Sequence, residues 1–262
     1  MTAQVGPQPD WIDLEGAVNV RDVGGLPAAR GRTRPNVLLR ADALDALSAA
    51  DVSELADRRG LGGVIDLRSD GERAERGRGR LGTRNQVRYT ELQIIDEGQL
   101  EQRRAERERR LAAGTPTSEI MAEGYAQLLD WGAASFLVAF RAVLNTSAAP
   151  CVVHCSAGKD RTGVLVALLL GAAEVEPEAI VADYAATGQR MAAVMARLET
   201  ASHFAGMAAN LPAFAFDAHP ETMARFLTHL DQQWGGPIGW LATHGITEAE
   251  LEAWVARFIE ST

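Results

Sequence analysis

Cys155 and Arg161, separated by five residues, lie in PCVVHCSAGKDRTGVLVALLLGA, where a Gly-containing loop joins one apolar run to another. These residue types at this spacing suit chemistry on a phosphate ester. A loop that leaves a strand and opens a helix turns its own N–H groups, and the unpaired N–H groups of the helix's first turn, toward one point. Ser156, Ala157, Gly158, Lys159, Thr162 and Gly163 form the expected phosphate-binding set. Arg161 closes this cradle with a bidentate guanidinium fork on two phosphate oxygens. The same positive potential falls on Cys155 at the loop entrance and favours its thiolate, the nucleophilic form. A thiolate behind a bound phosphorus displaces the alcohol in line and forms a cysteinyl-phosphate, which water hydrolyses. A nucleotide-binding P-loop does not fit, because Gly158-Lys159 is followed by Asp160 where that motif needs Ser or Thr.

Such a loop needs a buried strand behind it and a helix ahead of it. Strand-like runs occupy residues 36–40 (NVLLR), 63–68 (GVIDLR), 87–95 (VRYTELQII) and 150–155 (PCVVHC). GVID and CVVH are apolar without alternation, as in strands covered on both faces. Helical patterns lie between and after them. Ser48 opens SAADVSELADRRG with a capping residue, acids in the first turns and Gly60 as the stop. Residues 119–145 read as a long helical region with a break near Trp131-Gly132. Residues 164–173, 178–200, 222–234 and 247–260 follow, the last with Thr247 and Glu250 as a capping box. Strands alternating with helices predict an α/β fold: one domain over residues 1–262, a central mainly parallel sheet flanked by helices, and a flexible N-terminus over residues 1–13.

Two segments admit two readings each. Residues 99–111 are almost entirely charged, which suits either a solvated helix with intrahelical ion pairs or a cationic flank for an anionic substrate. Residues 203–220, HFAGMAANLPAFAFDAHP, suit either core packing or a mobile hydrophobic cover.

The chain's 262 residues are 47% hydrophobic and 23% charged, a composition that excludes disorder, collagen and a disulfide-stapled miniprotein. Its formal net charge of −9 speaks against nucleic-acid or anionic-membrane partners in general, but not against a local cationic pocket. Of the 26 basic residues, 25 are Arg and one is Lys, Lys159. No basic start followed by an apolar stretch marks a cleavable signal. The longest apolar run, 163–173, falls short of the roughly 20 residues of a membrane helix. The expected location is cytoplasmic, or secreted without a cleavable signal peptide. On a strand, Cys151 and Cys155 stand about 13 Å apart at about 3.3 Å per residue. A disulfide needs less than about 7 Å, so both are expected as free thiols. Cys151 reads as a small buried hydrophobe. No cofactor and no metal are expected.

HCSAGKDRTG resembles the signature loop of the Cys-dependent protein tyrosine phosphatases through His154, Cys155, Gly158, Arg161, Thr162 and Gly163. NVRDVGG (19–25), LLRADAL (38–44), VIDLRSDGER (64–73) and the C-terminal WGGPIGWLATHGITEAELEAW extend the likeness over residues 14–260. They look like the atypical bacterial tyrosine phosphatases with a lipid-phosphatase-like signature loop, the family of the mycobacterial secreted tyrosine phosphatase B. The resemblance implies a phosphorylated protein or phosphoinositide substrate. Cys155 is then the nucleophile, Arg161 the phosphate clamp, the Thr162 hydroxyl a donor to the departing sulfur, and His154 a support whose ring N–H orients the loop. It also implies a helical lid, with residues 190–220 as the candidate region.

A poor leaving group needs a proton, and no Trp-Pro-Asp tripeptide supplies one here. Asp130 precedes Trp131 in a helical pattern and reads as a surface residue. Asp160, inside the loop, is the candidate acid, the alternative being a structural ion pair. Lys159 is either an exposed loop cation or a point charge that meets a second phosphate or orients Asp160. Asp66, with Arg68 at the end of a buried strand, is either a support beneath the loop or surface charge; Arg21 and Asp22 have the same standing. A catalytically silent phosphate-binding module remains the rival, as does a primarily phosphoinositide-directed enzyme. A rhodanese-type sulfur transferase does not suit AGKDRTG, and an arsenate reductase would need better-placed cysteines than Cys151.

Overall fold

The apolar runs become strands that are covered on both faces, and alternate residues of each feed two different cores. The computed structural model describes residues 8–146, 149–199 and 217–260. Its main sheet has the order β1 (Asp10–Trp11), β2 (Arg21–Asp22), β5 (Leu38–Ala41), β8 (Cys151–His154), β6 (Gly63–Asp66), β7 (Arg88–Glu91). The last four strands of that order run parallel, and β1 and β2 add an antiparallel edge. Leu38, Ile65 and Val153 face one hydrophobic core, whereas Leu39, Val64 and Val152 face the other, the two-residue period of a strand. A smaller antiparallel sheet joins β3 (Pro27–Ala28), β4 (Gly31–Thr33) and β9 (Ile259–Glu260), which ties residues 259–260 to residues 27–33.

The first core lies under α4 (Thr117–Leu144), α5 (Asp160–Ala172), α6 (Pro177–Ala186), α8 (Pro220–Trp234), α9 (Gly236–Thr243) and α10 (Glu248–Phe258). The second is closed by α1 (Ala49–Val52), which continues as a wider π-helical turn over Ser53–Arg58. Capping boxes start α1 at Ser48, α2 (Asp70–Arg76) at Ser69 and α10 at Thr247, the last as its sequence foretells.

Three expectations change. No break occurs near Trp131-Gly132: α4 runs unbroken, and Gly132 is there because a Cβ would stand 2.8 Å from Ile94 Cγ2. The helix expected over 178–200 is interrupted by a 3₁₀ turn at Thr187–Arg190 before α7 (Met191–Leu198), at the place where the buried Arg21 side chain reaches Thr187 Oγ1 at 3.0 Å. Within the N-terminal stretch expected to be flexible, Asp10–Trp11 form β1, with the Trp11 ring under the guanidinium groups of Arg21 and Arg190. Helix α4 has the length and hydropathy to cross a membrane, yet it buries Tyr125, Leu128, Phe136 and Phe140 in the first core.

Register places Ala41, His154 and Asp66 side by side at the carboxyl edge of the parallel strands. The loop after β8 leaves the sheet between β5 and β6, the position where open α/β sheets bind ligands.

Candidate active site

The cradle is made by carbonyls pulled outward. In the loop, Cys155 O accepts from His154 Nδ1 at 3.1 Å, Ser156 O from Ala43 N at 3.0 Å and Ala157 O from Asn19 Nδ2 at 3.1 Å. Gly158 O accepts from Arg40 Nη2 at 2.8 Å, and Lys159 O from Gly163 N at 2.7 Å. In a trans peptide the N–H that follows points opposite to the carbonyl, so each of these bonds turns an amide toward the inside of the loop. Gly158 has φ +69°, and a Cβ there would stand 2.4 Å from Ala41 O. The backbone can make this turn against β5 only with glycine. Cys155, 2% exposed, sits at the entrance, and Arg161 lies on the first turn of α5.

Glu72 holds Arg161. Arg161 Nη1 donates to Glu72 Oε2 at 2.6 Å and to Leu67 O at 3.1 Å, and Nη2 donates to Glu72 Oε1 at 2.8 Å. Ser156 Oγ adds a bond to Glu72 Oε1 at 2.5 Å, and Ser69 N one to Oε2 at 2.6 Å. Burial would push the Glu72 carboxyl up, but Arg161, Ser156 and the Ser69 amide outweigh it and hold the carboxyl far below the usual range. Burial likewise works against the Arg161 charge, and Glu72 more than reverses it. With Glu72 on the Nη1–Nη2 end of the guanidinium, Nε makes no hydrogen bond among the described residues, and the Nε–Nη2 edge has the geometry to take a second bidentate partner. Nothing marked Glu72 as a site residue in the sequence; its visible signal was the S-x-x-E capping pattern of Ser69.

Asp160 is one residue from Arg161, with its side chain 36% exposed. Its Oδ1 accepts from Tyr125 Oη at 2.7 Å and stands 3.6 Å from Lys159 Nζ. Lys159 is not the exposed cation of one reading: it is 1% exposed, and Nζ bonds Asp217 O at 3.3 Å. The charged segment is a helix with ion pairs, and one of its arginines points inward. In α3 (Glu97–Ala112), Arg109 pairs with Glu106 and Arg110 with Glu119, whereas Arg103 turns inward against Gly124 and faces Asp160, Tyr125 and Arg161. Burial lowers the Arg103 guanidinium from its ordinary value, and Asp160 opposes that shift.

Asp66 and Arg68 are buried, so surface charge is ruled out for both. Arg68 Nη2 donates to Asp66 Oδ2 at 2.7 Å, and Asp66 Oδ2 stands 3.8 Å from His154 Nε2. Burial works to raise the Asp66 carboxyl; the His154 ring and Arg68 prevail and hold it down at about 2. Burial lowers His154, with Asp66 opposing, and Nδ1 donates its proton to Cys155 O. Thr162 Oγ1 is buried and makes no hydrogen bond among the described residues. Both cysteines are free, and burial pushes the Cys151 thiol up to about 12. Asp130 is exposed on α4, as its helical pattern suggests.

Behind the loop lies a network of buried charge. Arg21 Nε donates to Asp183 Oδ1 at 2.8 Å, Arg40 Nη1 to Asp183 Oδ2 at 2.5 Å, and Arg21 Nη1 to Asn19 Oδ1 at 2.6 Å. Burial raises Asp183, but Arg21 and Arg40 reverse that and keep it below its usual value. Arg40 and Asn19 are the donors that hold the Gly158 and Ala157 carbonyls, so this network is the floor of the cradle. Asp22 caps the adjacent turn through Gly24 N at 2.9 Å and Asn36 N at 2.5 Å. On the other side of the loop, Ala157 packs with Met191, Val194 and Leu198 of α7, which an Arg197–Asp42 ion pair also fastens. Helix α7 belongs to the candidate lid region 190–220; residues 200–216 of that region lie outside the described residues.

A parallel sheet whose central strand ends in a buried cysteine, an inward-facing amide loop and a clamped arginine defines a cysteine-nucleophile phosphatase. The sequence pattern of the tyrosine phosphatase family matches residues 12–260, and the chain belongs to that family. It is similar to the triple specificity protein phosphatase PtpB of Mycobacterium tuberculosis, 29% identical over 91% of this chain and 95% of that protein. It is also similar to a tyrosine-protein phosphatase of Nostoc commune, 30% identical over 53% of this chain and 49% of that protein. The chain is a protein-tyrosine-phosphatase hydrolase, and its substrates are phosphorylated.

Proposed function

We propose that the enzyme hydrolyses phosphotyrosine, phosphoserine and phosphothreonine in proteins, and phosphoinositides, through a phosphoenzyme on Cys155. The loop amides and the free edge of Arg161 bind the phosphate dianion. The Cys155 sulfur forms a bond to phosphorus as the P–O bond to the leaving group breaks, and Asp160 passes its proton to the departing oxygen. Water then attacks phosphorus, Asp160 takes a proton from that water, and the S–P bond breaks to give inorganic phosphate and the starting thiolate. The Thr162 hydroxyl donates to the sulfur as it leaves.

The single observation that carries the reading is the set of outward-held carbonyls from Cys155 to Lys159, which creates an anion site in front of the thiol. Breadth beyond phosphotyrosine is supported by the relative named for triple specificity and by Lys159, a cation built into the loop. The test pairs Cys155→Ser with a panel of phosphotyrosine, phosphoserine and phosphothreonine peptides and mono- and poly-phosphorylated inositol lipids. The serine variant should lose turnover on every substrate of the parent, whose activity should be insensitive to EDTA. A serine variant that keeps most activity refutes the covalent route, and a parent active on peptides alone narrows the substrate class.

A further inference from the structure

Tyr125 and Tyr184 have no part in the steps above, yet they form a hydrogen-bonded chain that ends on Asp160. Tyr125 Oη is 2.7 Å from Asp160 Oδ1 and 2.7 Å from Tyr184 Oη. We propose that Tyr125, oriented in turn by Tyr184, is the positioning residue of Asp160, fixing one carboxyl oxygen so that the other delivers and recovers the proton. The proposal rests on Asp160 being the acid and base.

Proton counting gives the chain its direction. A carboxylate only accepts, and Tyr125 has one hydroxyl proton, so Tyr125 donates to Oδ1 and must accept from Tyr184. When Asp160 is protonated, Oδ1 is already occupied as an acceptor and the acidic proton resides on Oδ2. The tyrosines are 0% and 1% exposed and the Asp160 side chain 36%, so the fixed oxygen faces the interior and the reactive one the open side. Burial raises both phenols well above their ordinary values, with Asp160 adding to both shifts, so they remain donors throughout the working pH range.

The rings are held as firmly as the hydroxyls. Tyr125 meets Tyr184 edge-on at 6.0 Å and Phe226 edge-on at 5.9 Å between centroids. Tyr184 lies over Gly163, where a Cβ would stand 3.1 Å from its ring, so the last glycine of the signature loop makes room for this ring. Proton transfer to the leaving oxygen leaves a negative charge on Asp160, and a short O–H···O⁻ bond from Tyr125 is strongest in that charged state. The assistance therefore grows as the proton moves, which is where it accelerates the step.

The experiment compares Tyr125→Phe, Tyr184→Phe, Asp160→Asn and Tyr125→Phe/Asp160→Asn on phenyl phosphate and on an activated nitrophenyl phosphate. Tyr125→Phe should lower kcat on phenyl phosphate by about tenfold, with KM and the activated substrate changed by less than about twofold. Tyr184→Phe, which keeps the Tyr125–Asp160 bond, should lose less than Tyr125→Phe with the same preference for the poor leaving group. Added to Asp160→Asn, Tyr125→Phe should cost nothing more. Equal losses on both substrates, or a further loss in the double variant, would overturn the positioning role. If Asp160→Asn itself shows no leaving-group dependence, the acid assignment falls and the relay with it; if Asp160→Asn shows it and neither tyrosine variant does, only the relay falls.

Discussion

Glu72 bonds both terminal nitrogens of Arg161, at 2.6 and 2.8 Å, while also accepting from Ser156 of the same loop. One carboxylate on the first turn of α2 thus fixes the clamp and the cradle relative to each other. On the proposed mechanism, Arg161 is thereby held in its phosphate-binding orientation before substrate arrives, so little ordering is left to the moment of binding.

Glu72→Gln should therefore lower kcat/KM on aryl phosphates by about tenfold or more. Removing one partner of a buried pair also destabilises the fold, by on the order of 3 kcal/mol. Steady-state kinetics and a denaturant titration check the two effects separately. An unchanged kcat/KM in a folded variant would show that Arg161 orients itself without Glu72.

Arg40→Met removes the shorter of two bonds to Gly158 O, leaving the 3.5 Å one from Asn19 Nδ2, and one of the two cations on Asp183. With that peptide held more loosely, the Lys159 amide points less firmly into the cradle. The inhibition constant of inorganic phosphate should rise by about tenfold, the worth of roughly one hydrogen bond to a charged group. A lowered melting temperature with unchanged phosphate inhibition would assign Arg40 to the fold alone.

Acid stability should follow Asp66 and Glu72. Both carboxyls lie below their ordinary values in the folded protein, Asp66 at about 2. Between pH 4.5 and 2 the unfolded chain then binds more protons than the folded one, as its carboxyls titrate near about 4. The unfolding free energy from these groups is whole above about pH 5 and declines as pH falls through that window. For Asp66 the contribution is on the order of 2 kcal/mol. Urea titrations at pH 6 and pH 3 should show the decline, and Asp66→Asn should shrink it; equal slopes against pH in both proteins would contradict the assignment.

Lys159→Arg tests whether a compact ammonium is required in a nearly closed position beside Asp160. A guanidinium is larger and planar, and it carries its charge over a wider area. The variant should lose more kcat/KM on poly-phosphorylated inositol lipids than on phosphotyrosine peptides. A uniform loss across both substrate types would remove Lys159 from substrate choice.

The sequence by itself determined the candidate reacting pair and the loop that carries it. Cys155, Gly158 and Arg161 are close in the chain, and their spacing fixes a strand-to-loop-to-helix turn through local backbone geometry alone. The buried strands were likewise legible, because CVVH and GVID are apolar on both faces. What holds those residues was not legible. Glu72 could be read as the capping residue of Ser69, Arg21 and Asp66 as strand-end charges, and Asp183 and Tyr184 as parts of a helix. Gly132 looked like a helix break, whereas it is a point of close approach to Ile94. Local pattern reports that a polar residue is present, but its partner lies many residues away and is chosen only when the sheet register and helix packing bring the two together. Tertiary structure therefore decided that Glu72 meets Arg161, that Arg40 and Asp183 lie beneath Gly158, and that Tyr125 reaches Asp160. A buried polar group left without such a partner costs too much to persist, and that penalty makes these distant pairings specific.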